Sequence, residues 1–366
     1  MNALNLVIFK PTSENLKIYE LYGEKVKELY NKWWDKISTS KNIEKNKKEL
    51  EAYRKSLKPG DIALLGCLTE GGQGLATANN GKYIAVRKST KWAKNIIESR
   101  PKKLAEAIQK NKIKIAEMAN YGNTMEFLAS LNESQIVELF DDLKEKYGRD
   151  IFGQGYIYRL IDDNEIADVD TLTEDEKLNG IPETKKYYVP YDKGDKDGNR
   201  WYLETPFAIA WSQKNVGFLK ADPKARYQGY TFYFKEGFCW TDVNSTYLKA
   251  RIKRNGVFDV LSMSLFTQFY IPDWYYVCMI NSRFISFYVD NFINNTSHFQ
   301  INDARQLPII IPTKEKLLEF EALYNLAVKT KRKQFAIQSS TNEIDNIVNE
   351  IQVKLDNRVV ELYGIV

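Results

Sequence analysis

Apolar residues recur at helical spacing over two long stretches, one near each end of the chain, and no other feature restricts the fold more. The first stretch covers residues 13–58 and stops at Pro59-Gly60, and the second begins at Thr313 and runs almost to the end. Apolar side chains three and four residues apart lie on one face of a helix, and Pro-Gly ends one. We therefore predict helices at both ends, either paired with each other or packed as a bundle that covers a sheet.

The middle of the chain changes to a β-like pattern. Short aromatic and β-branched runs separated by turn residues fill residues 187–238, which is typical of strands. Residues 61–68 and 82–86 indicate two further strands joined by a glycine-rich loop, and residues 90–148 turn helical, with Pro101 at a first-turn position. We predict a mixed α+β fold in three parts: a helical connector at 1–58, a β-rich domain at 59–312 with a helical insertion at about 90–180, and a C-terminal helical region at 313–366.

Composition limits the classes of function. Hydrophobic residues make up 43% of the 366 residues, which is enough for a sizeable core and too many for a wholly disordered chain. Lys and Arg outnumber Asp and Glu by 53 to 48, so a polyanionic partner is allowed but not required. Aromatic residues form 13% of the chain, and we expect Trp201, Trp211 and Trp240 to pack in the core rather than stack on bases.

Residues that carry common enzyme chemistry are scarce. The single histidine, His298, excludes zinc sites with several histidines and two-histidine relays. The glycine loop is not a GxGxxG that opens a helix, and neither a P-loop nor a GxSxG elbow occurs. Pro272-Asp273 matches the start of a nuclease metal motif, but no Glu-x-Lys follows it closely. We predict no catalytic residue, metal or cofactor in this chain.

The cysteines and the apolar runs bear on location. Cys67, Cys239 and Cys278 lie far apart and form no CxxC pair, which favours buried thiols in a reducing compartment. No signal-peptide pattern is visible at the N-terminus, and no stretch approaches the ~20 apolar residues of a membrane span. We expect a cytoplasmic protein with no membrane partner.

Six short motifs follow one another in the order that they take in one protein family. They lie at 72–83, at 189–202 with 207–212 after it, at 230–241, at 281–284, at 294–308 and at 355–364. Together they resemble the C-terminal target-recognition (TaqI-like specificity) region of adenine-N6 DNA methyltransferases of the type IIG restriction–modification and phage-exclusion kinds. In the first motif Ala78 stands where the family has its second glycine, and Tyr83 where it has phenylalanine.

The resemblance implies a module that recognises a sequence in double-stranded DNA for an adenine-N6 methyltransferase. The family's S-adenosylmethionine motif and Asn-Pro-Pro-Tyr active site do not occur in this chain. The resemblance therefore places both S-adenosylmethionine and catalysis in a separate methyltransferase domain or subunit. Two alternatives stay open: a separate specificity subunit that docks on a methyltransferase, and a protein-interaction module without DNA affinity of its own.

The loop at residues 70–82 offers the first set of predicted DNA contacts. Glycines let a backbone approach phosphate closely, and amide, hydroxyl and amine groups bond phosphates and purine edges. An ordinary glycine turn between two strands is the alternative. The candidates here are Gln73, Thr77, Asn79, Asn80 and Lys82.

Basic residues in the later motifs offer the second set. A hydrogen bond from Arg or Lys to guanine is the commonest base contact. The polar turn before Trp201 either makes such a contact or is a solvated hairpin tip. His298 either touches a phosphate or base edge or packs at a loop corner. Basic runs at 41–48 and 110–114 are expected to be solvated, and a further run lies at 329–333. The candidates are Lys193, Lys196, Asn199, Arg200, Lys249, Arg251, Lys253, Arg254 and His298.

Overall fold

The computed structural model describes residues 13–147, 151, 158–195, 198–243, 247–337 and 341–365. Helix accounts for 55% of the structure and strand for 16% in several small sheets, so the predicted α+β class is confirmed. The helices are α1 Ser13–Ile18, α2 Glu24–Ile37, α3 Ser40–Lys45, α4 Lys47–Ser56, α5 Leu65–Leu68, α6 Asn80–Tyr83, α7 Lys91–Lys110, α8 Thr124–Ala129, α9 Glu133–Tyr147, α10 Glu174–Asn179, α11 Gln213–Ala221, α12 Asp273–Ile280, α13 Arg283–Tyr288, α14 Ile301–Arg305, α15 Lys314–Ala336 and α16 Asn342–Leu362. The strands are β1 Ile62–Leu64, β2 Thr69–Gly72, β3 Ile84–Arg87, β4 Arg159–Ile161, β5 Tyr188–Asp192, β6 Phe207–Ala210, β7 Gly237–Thr241, β8 Ala250–Lys253, β9 Val257–Phe258, β10 Ser262–Thr267 and β11 Pro308–Ile310.

The chain divides into two compact units, each made of segments that are distant in sequence. Unit 1 contains Met1–Gly74, Lys193–Glu204 and Gln228–Val366, and unit 2 contains Leu75–Asp192 and Thr205–Tyr227. The predicted domain boundaries after residues 58 and 312 both fall inside unit 1. Of the helices in the described segments, none is both long enough and apolar enough to cross a membrane.

Unit 1 is built on an antiparallel sheet with strand order β2-β10-β7-β8. Strands β1 and β11 of the same unit form a separate antiparallel ladder, in which Ile62 pairs with Ile310. Helix α12 packs on β7, β8 and α15, and its residues from Tyr275 to Ile280 are all buried. A helix with apolar residues on every side is stable only when it is enclosed in this way. Trp201 and Trp240 lie in this core, as predicted.

The terminal helices belong to the same unit. A π-helical turn, Tyr19–Gly23, joins α1 to α2, so the helix continues through Gly23. The long helices α15 and α16 pack against each other. The N-terminal segment contacts the residues that follow α16: the Tyr22 hydroxyl donates to the Tyr363 carbonyl, the two rings meet edge to face at 5.8 Å, and the Lys17 amine donates to the Ile365 carbonyl at 3.2 Å.

Unit 2 combines a small sheet with a helical cluster. Its strands pair in the order β4-β3-β6-β5, with β3 parallel to β4 and the other pairs antiparallel. Leu104, Ile108, Phe127 and Phe140 form the core of the helices α7, α8 and α9. Trp211 is fully buried after β6, and its indole N–H donates to the Lys177 carbonyl at 3.1 Å.

Two predicted strands around the glycine-rich loop begin or end differently from the prediction. Strand β1 stops at Leu64, and residues 65–68 form a helical turn whose Cys67 carbonyl accepts a hydrogen bond from the Arg54 Nε at 2.6 Å. Lys82 lies in α6 rather than in a strand, because the Asn79 side chain caps that helix and β3 starts only at Ile84. At each boundary, one side chain forms a hydrogen bond with a backbone group of the helical turn.

Two other local predictions are wrong. Pro101 lies in the interior of α7 rather than in a first turn. An interior proline costs a helix ~3 kcal/mol, and the burial of Ile96, Leu104 and Ile108 on one face offsets this. Tyr230–Phe232 forms a 3-10 helix instead of a strand, because Gly229 before it is left-handed, with φ of +70°.

Candidate nucleic-acid interface

A tight turn at Trp201 holds two of the residues that form the candidate site. Trp201 is 2% exposed, and its backbone N–H donates to the Ala250 carbonyl at 3.0 Å. The Tyr202 N–H donates to the Arg200 carbonyl at 2.8 Å, which closes a γ-turn around Trp201, whose φ is +70°. This conformation is strained for a bulky residue. Burial of the indole holds the strained turn, with Arg200 and Tyr202 half-buried on either side of it.

Each of two tyrosines contacts two cations. The guanidinium groups of Arg254 and Arg332 lie 5.4 and 5.2 Å from the centre of the Tyr202 ring, and Arg254 also donates to the Tyr202 hydroxyl at 2.9 Å. Arg200 lies 4.4 Å from the centre of the Tyr247 ring and donates to its hydroxyl at 3.2 Å. The Lys249 amine lies 5.5 Å from the same ring. All these distances fall within the range of cation–π attraction.

Helix α15 completes the arrangement. Phe335 meets Tyr202 edge to face at 5.7 Å, and the Lys331 amine lies 5.6 Å from the Phe335 ring. Lys331 also donates to the Asn199 side-chain oxygen at 3.4 Å. We call this contiguous surface of unit 1 the basic–aromatic cluster; it consists of Arg200, Tyr202, Tyr247, Lys249, Arg254, Lys331, Arg332 and Phe335.

Edge strand β8 spreads the positive charge. Lys249 directly precedes the strand and Arg254 directly follows it. At ~3.3 Å per residue the strand separates them by about 17 Å. The cluster therefore presents charge along a surface rather than at one point, as contacts to successive phosphates require.

In the described part of the chain, the cations of the cluster contact aromatic rings rather than carboxylates. Throughout the described segments, no carboxylate forms an ion pair with any of the five, although the structure pairs Lys193 with Asp259 at 3.6 Å. Burial lowers the pKa of Arg200, and it also lowers the pKa of Lys331, where Asp195 acts in the opposite direction and Arg200 adds to the decrease. Cations that are partly stripped of water and crowded together gain more than solvated ones from an anionic ligand.

The structure brings some of the predicted basic residues together and places others elsewhere. Arg200, Lys249 and Arg254 belong to the cluster, and Asn199 lies at its edge, where both its N–H and its amide donate to Asp195. Lys193 is held by its ion pair with Asp259. Lys196 lies outside the described residues.

Two predicted contacts are buried under the sheet and do not suit DNA binding. Arg251 is 3% exposed and donates to the Lys193 carbonyl at 3.4 Å. Lys253 is 1% exposed, donates to the Lys235 and Arg254 carbonyls, and has its amine 4.9 Å from the Phe258 ring. Their charges stabilise strand β8 and its neighbours, because no phosphate can reach them without opening the core.

Most polar side chains of the glycine loop serve the turn itself. The Thr77 hydroxyl is buried and donates to the Asn80 oxygen at 2.6 Å, and the Asn79 oxygen accepts from the Lys82 N–H at 3.3 Å. The Lys82 amine lies 4.2 Å from the Phe218 ring in unit 2. Gln73 is exposed in unit 1, and its oxygen accepts from Gln228 at 3.4 Å. These residues do not join the basic–aromatic cluster.

His298 lies close to the cluster through a shared cavity of about 530 Å³ in unit 1. Its ring is about half exposed, and Nδ1 is 3.0 Å from the Asp242 carboxylate. The cavity is also lined by Tyr247, Ser286 and Asp290. The ring is therefore held by a carboxylate and still faces solvent, and its contact with a phosphate or base edge stays a prediction.

Sequence reasoning did not identify the aromatic residues of the basic–aromatic cluster or the two cations that helix α15 contributes to it. Tyr202 and Tyr247 each lie within three residues of a predicted basic residue, and an aromatic next to a basic residue is the signal that could have identified them. The 329–333 run contains Lys331 and Arg332, but the sequence of that run does not indicate which other part of the protein it packs against.

The described residues contain no group of three or more His, Cys, Asp or Glu side chains that could hold a metal ion. No known protein-family model matches the chain, and no curated protein matches it. The family resemblance therefore depends on the motifs themselves, and the function has to be argued from the cluster.

Proposed function

We propose that this chain binds double-stranded DNA through the basic–aromatic cluster. The observation that carries the proposal is that five cations contact three aromatic rings on one surface of unit 1 without a carboxylate ion pair among the described residues. Phosphate contacts from Lys and Arg supply most of the affinity for DNA, and they require cations that are not already neutralised.

Arginines in the cluster are the candidates for base recognition. Arg254 and Arg332 flank the Tyr202 ring, which limits the directions in which their guanidinium groups can point. A guanidinium held in a fixed plane can donate two parallel hydrogen bonds to the O6 and N7 of guanine. The lysines, Lys249 and Lys331, suit phosphates, because an ammonium group acts as a point charge.

The resemblance supports a more specific role as the target-recognition part of an adenine-N6 DNA methyltransferase or fused restriction–modification enzyme. In that role the chain holds the duplex while a catalytic domain or subunit, which binds S-adenosylmethionine, takes one adenine out of the helix. A cytoplasmic location suits this role, and the thiols of Cys67, Cys239 and Cys278 are all buried and form no disulfide among the described residues, as a reducing compartment allows.

Selection from a randomised duplex pool tests the proposal. The pure chain is incubated with the pool at about 50 and 200 mM salt, since phosphate contacts weaken steeply over this range. We expect enrichment of a motif of a few base pairs, with affinity that falls as salt rises. The Arg254→Gln/Arg332→Gln variant should lose the motif, because both exposed guanidinium groups leave the cluster.

The matched control removes two charges elsewhere. Lys45 and Lys48 are exposed on the helices α3 and α4, so Lys45→Gln/Lys48→Gln changes the net charge equally without touching the cluster. Salt-sensitive binding without an enriched motif would mean that recognition needs the catalytic part. Absence of binding at the lower salt concentration would overturn the proposal and favour the protein-interaction alternative.

A further inference from the structure

Unit 2 contains a cavity of about 550 Å³ that has no part in the basic–aromatic cluster. Helices α6, α7, α9 and α11 and strands β3 to β6 all contribute residues to its lining. The volume lies in the range of pockets that bind small molecules. The character of the lining residues decides which class of ligand fits.

The lining is strongly basic. Among the described residues, four cations and one carboxylate line the cavity; the cations are Lys82, Arg100, Lys144 and Arg159, and the carboxylate is Asp141. Asp141 pairs with Lys144 at 3.4 Å, so one charge is balanced. Arg100 is 3% exposed on α7, and burial lowers the pKa of its guanidinium. An excess of cations in a partly enclosed space favours an anionic ligand.

The lining is also aromatic. Tyr83, Tyr158 and Tyr188 are nearly fully buried, and Tyr187 and Phe140 complete the set. The Arg159 guanidinium lies 5.9 Å from the Tyr188 ring. Burial raises the pKa of Tyr83 and of Tyr188, so their hydroxyl groups stay neutral and add no negative charge. Aromatic walls of this kind stack on planar rings.

We infer that this cavity binds a nucleoside 5′-monophosphate group, with the cations contacting the phosphate and the tyrosines contacting the base. A bare phosphate would leave most of the cavity and all of its aromatic wall unused, and a neutral nucleoside would not use the excess of positive charge in the lining. The group has two possible sources, a free nucleotide or an unpaired nucleotide in DNA. The inference goes beyond the proposed function, because it concerns residues of unit 2 only.

Calorimetric titration of the full chain tests the inference. Adenosine 5′-monophosphate is the ligand, and inorganic phosphate and adenosine are the comparison ligands. We expect the monophosphate to bind at least tenfold more tightly than either part alone. Arg159→Gln and, separately, Lys82→Gln should each weaken binding about tenfold, since each removes a charge-assisted contact. Both residues are exposed at their surfaces, so both variants should fold.

Lys224→Gln is the matched control, because Lys224 is exposed in unit 2 and does not line the cavity. A duplex with one unpaired adenine then competes with the monophosphate: displacement identifies DNA as the source, and no displacement identifies the free nucleotide. No heat of binding, or equal binding by Arg159→Gln, Lys82→Gln and the wild type, would overturn the inference. Arg254→Gln/Arg332→Gln should leave this titration unchanged, so failure here and failure of the proposed function are distinguishable.

Discussion

Ala78 occupies a backbone conformation that suits glycine. Its φ is +53°, in the left-handed region, within the turn that the Thr77–Asn80 hydrogen bond closes. The motif that this segment resembles has a glycine at this position, and glycine adopts a left-handed backbone without strain. A left-handed backbone at a residue with a Cβ destabilises the folded state by ~1 kcal/mol.

Replacing Ala78 with glycine should therefore stabilise the protein. We expect Ala78→Gly to raise the free energy of unfolding by up to about 1 kcal/mol, because it removes the backbone strain. The greater conformational entropy of glycine in the unfolded chain offsets part of this gain. Urea denaturation measures the change. Ala76→Gly is the control, since Ala76 has ordinary backbone angles and bridges to Arg226, and it should destabilise. Equal destabilisation by the two variants would contradict the strain at Ala78.

At the scale of the element, the start of α12 contains a carboxyl group in an unusual state. Asp273 lies in the first turn of this buried helix, and its Oδ1 accepts from the Thr267 N–H at 3.1 Å. Burial raises the pKa of Asp273 to about 7, with Glu236 adding to the increase and the Thr267 bond and Lys253 opposing it. The fold therefore prefers the protonated carboxyl, although a helix N-terminus alone would favour the charged form.

This shift makes stability depend on pH. A carboxyl whose pKa is higher in the folded state than in the unfolded state stabilises the fold fully at acidic pH, and that stabilisation is lost as pH rises from about 4 to 7. We expect Asp273→Asn, which keeps the acceptor for Thr267, to abolish this part of the pH dependence. Urea denaturation at pH 5 and pH 8 should show a smaller loss of unfolding free energy for the variant than for the wild type.

Glu315 provides a control of opposite sign. It lies in the first turn of α15, where its own backbone N–H and the Thr313 hydroxyl lower its pKa. Its contribution is present at neutral pH and is lost as pH falls, so Glu315→Gln should change the acidic side of the profile instead. Identical pH profiles for Asp273→Asn and the wild type would rule out the protonated carboxyl.

At the scale of the whole molecule, the distribution of charge matters more than its total. The net charge is only +5, yet five cations that form no carboxylate ion pair within the described residues meet on one surface of unit 1. Lys249→Gln/Lys331→Gln should make the slope of log affinity against log salt concentration shallower by about 2, since each phosphate contact contributes ~0.9. Fluorescence anisotropy with a labelled duplex at several salt concentrations measures this slope. An unchanged slope would place the phosphate contacts outside the cluster, and Lys45→Gln/Lys48→Gln should leave the slope as it is.

Local patterns in the sequence determined several parts of this protein. Apolar periodicity predicted the terminal helices, because this signal comes from residues within a few turns of each other. The basic residues of the polar turn and of the 249–254 run were also visible in this way. Arg200, Lys249 and Arg254 are the ones that the structure places in the cluster.

Only the tertiary structure decided which charges meet. Lys253 and Arg254 are neighbours in sequence, but the sheet buries one and exposes the other. Arg332 reaches the Tyr202 ring although 130 residues separate them in the chain. Periodicity and composition indicate local geometry. Which residues at the end of a strand are exposed, and which helix packs beside them, depends on the packing of the whole core.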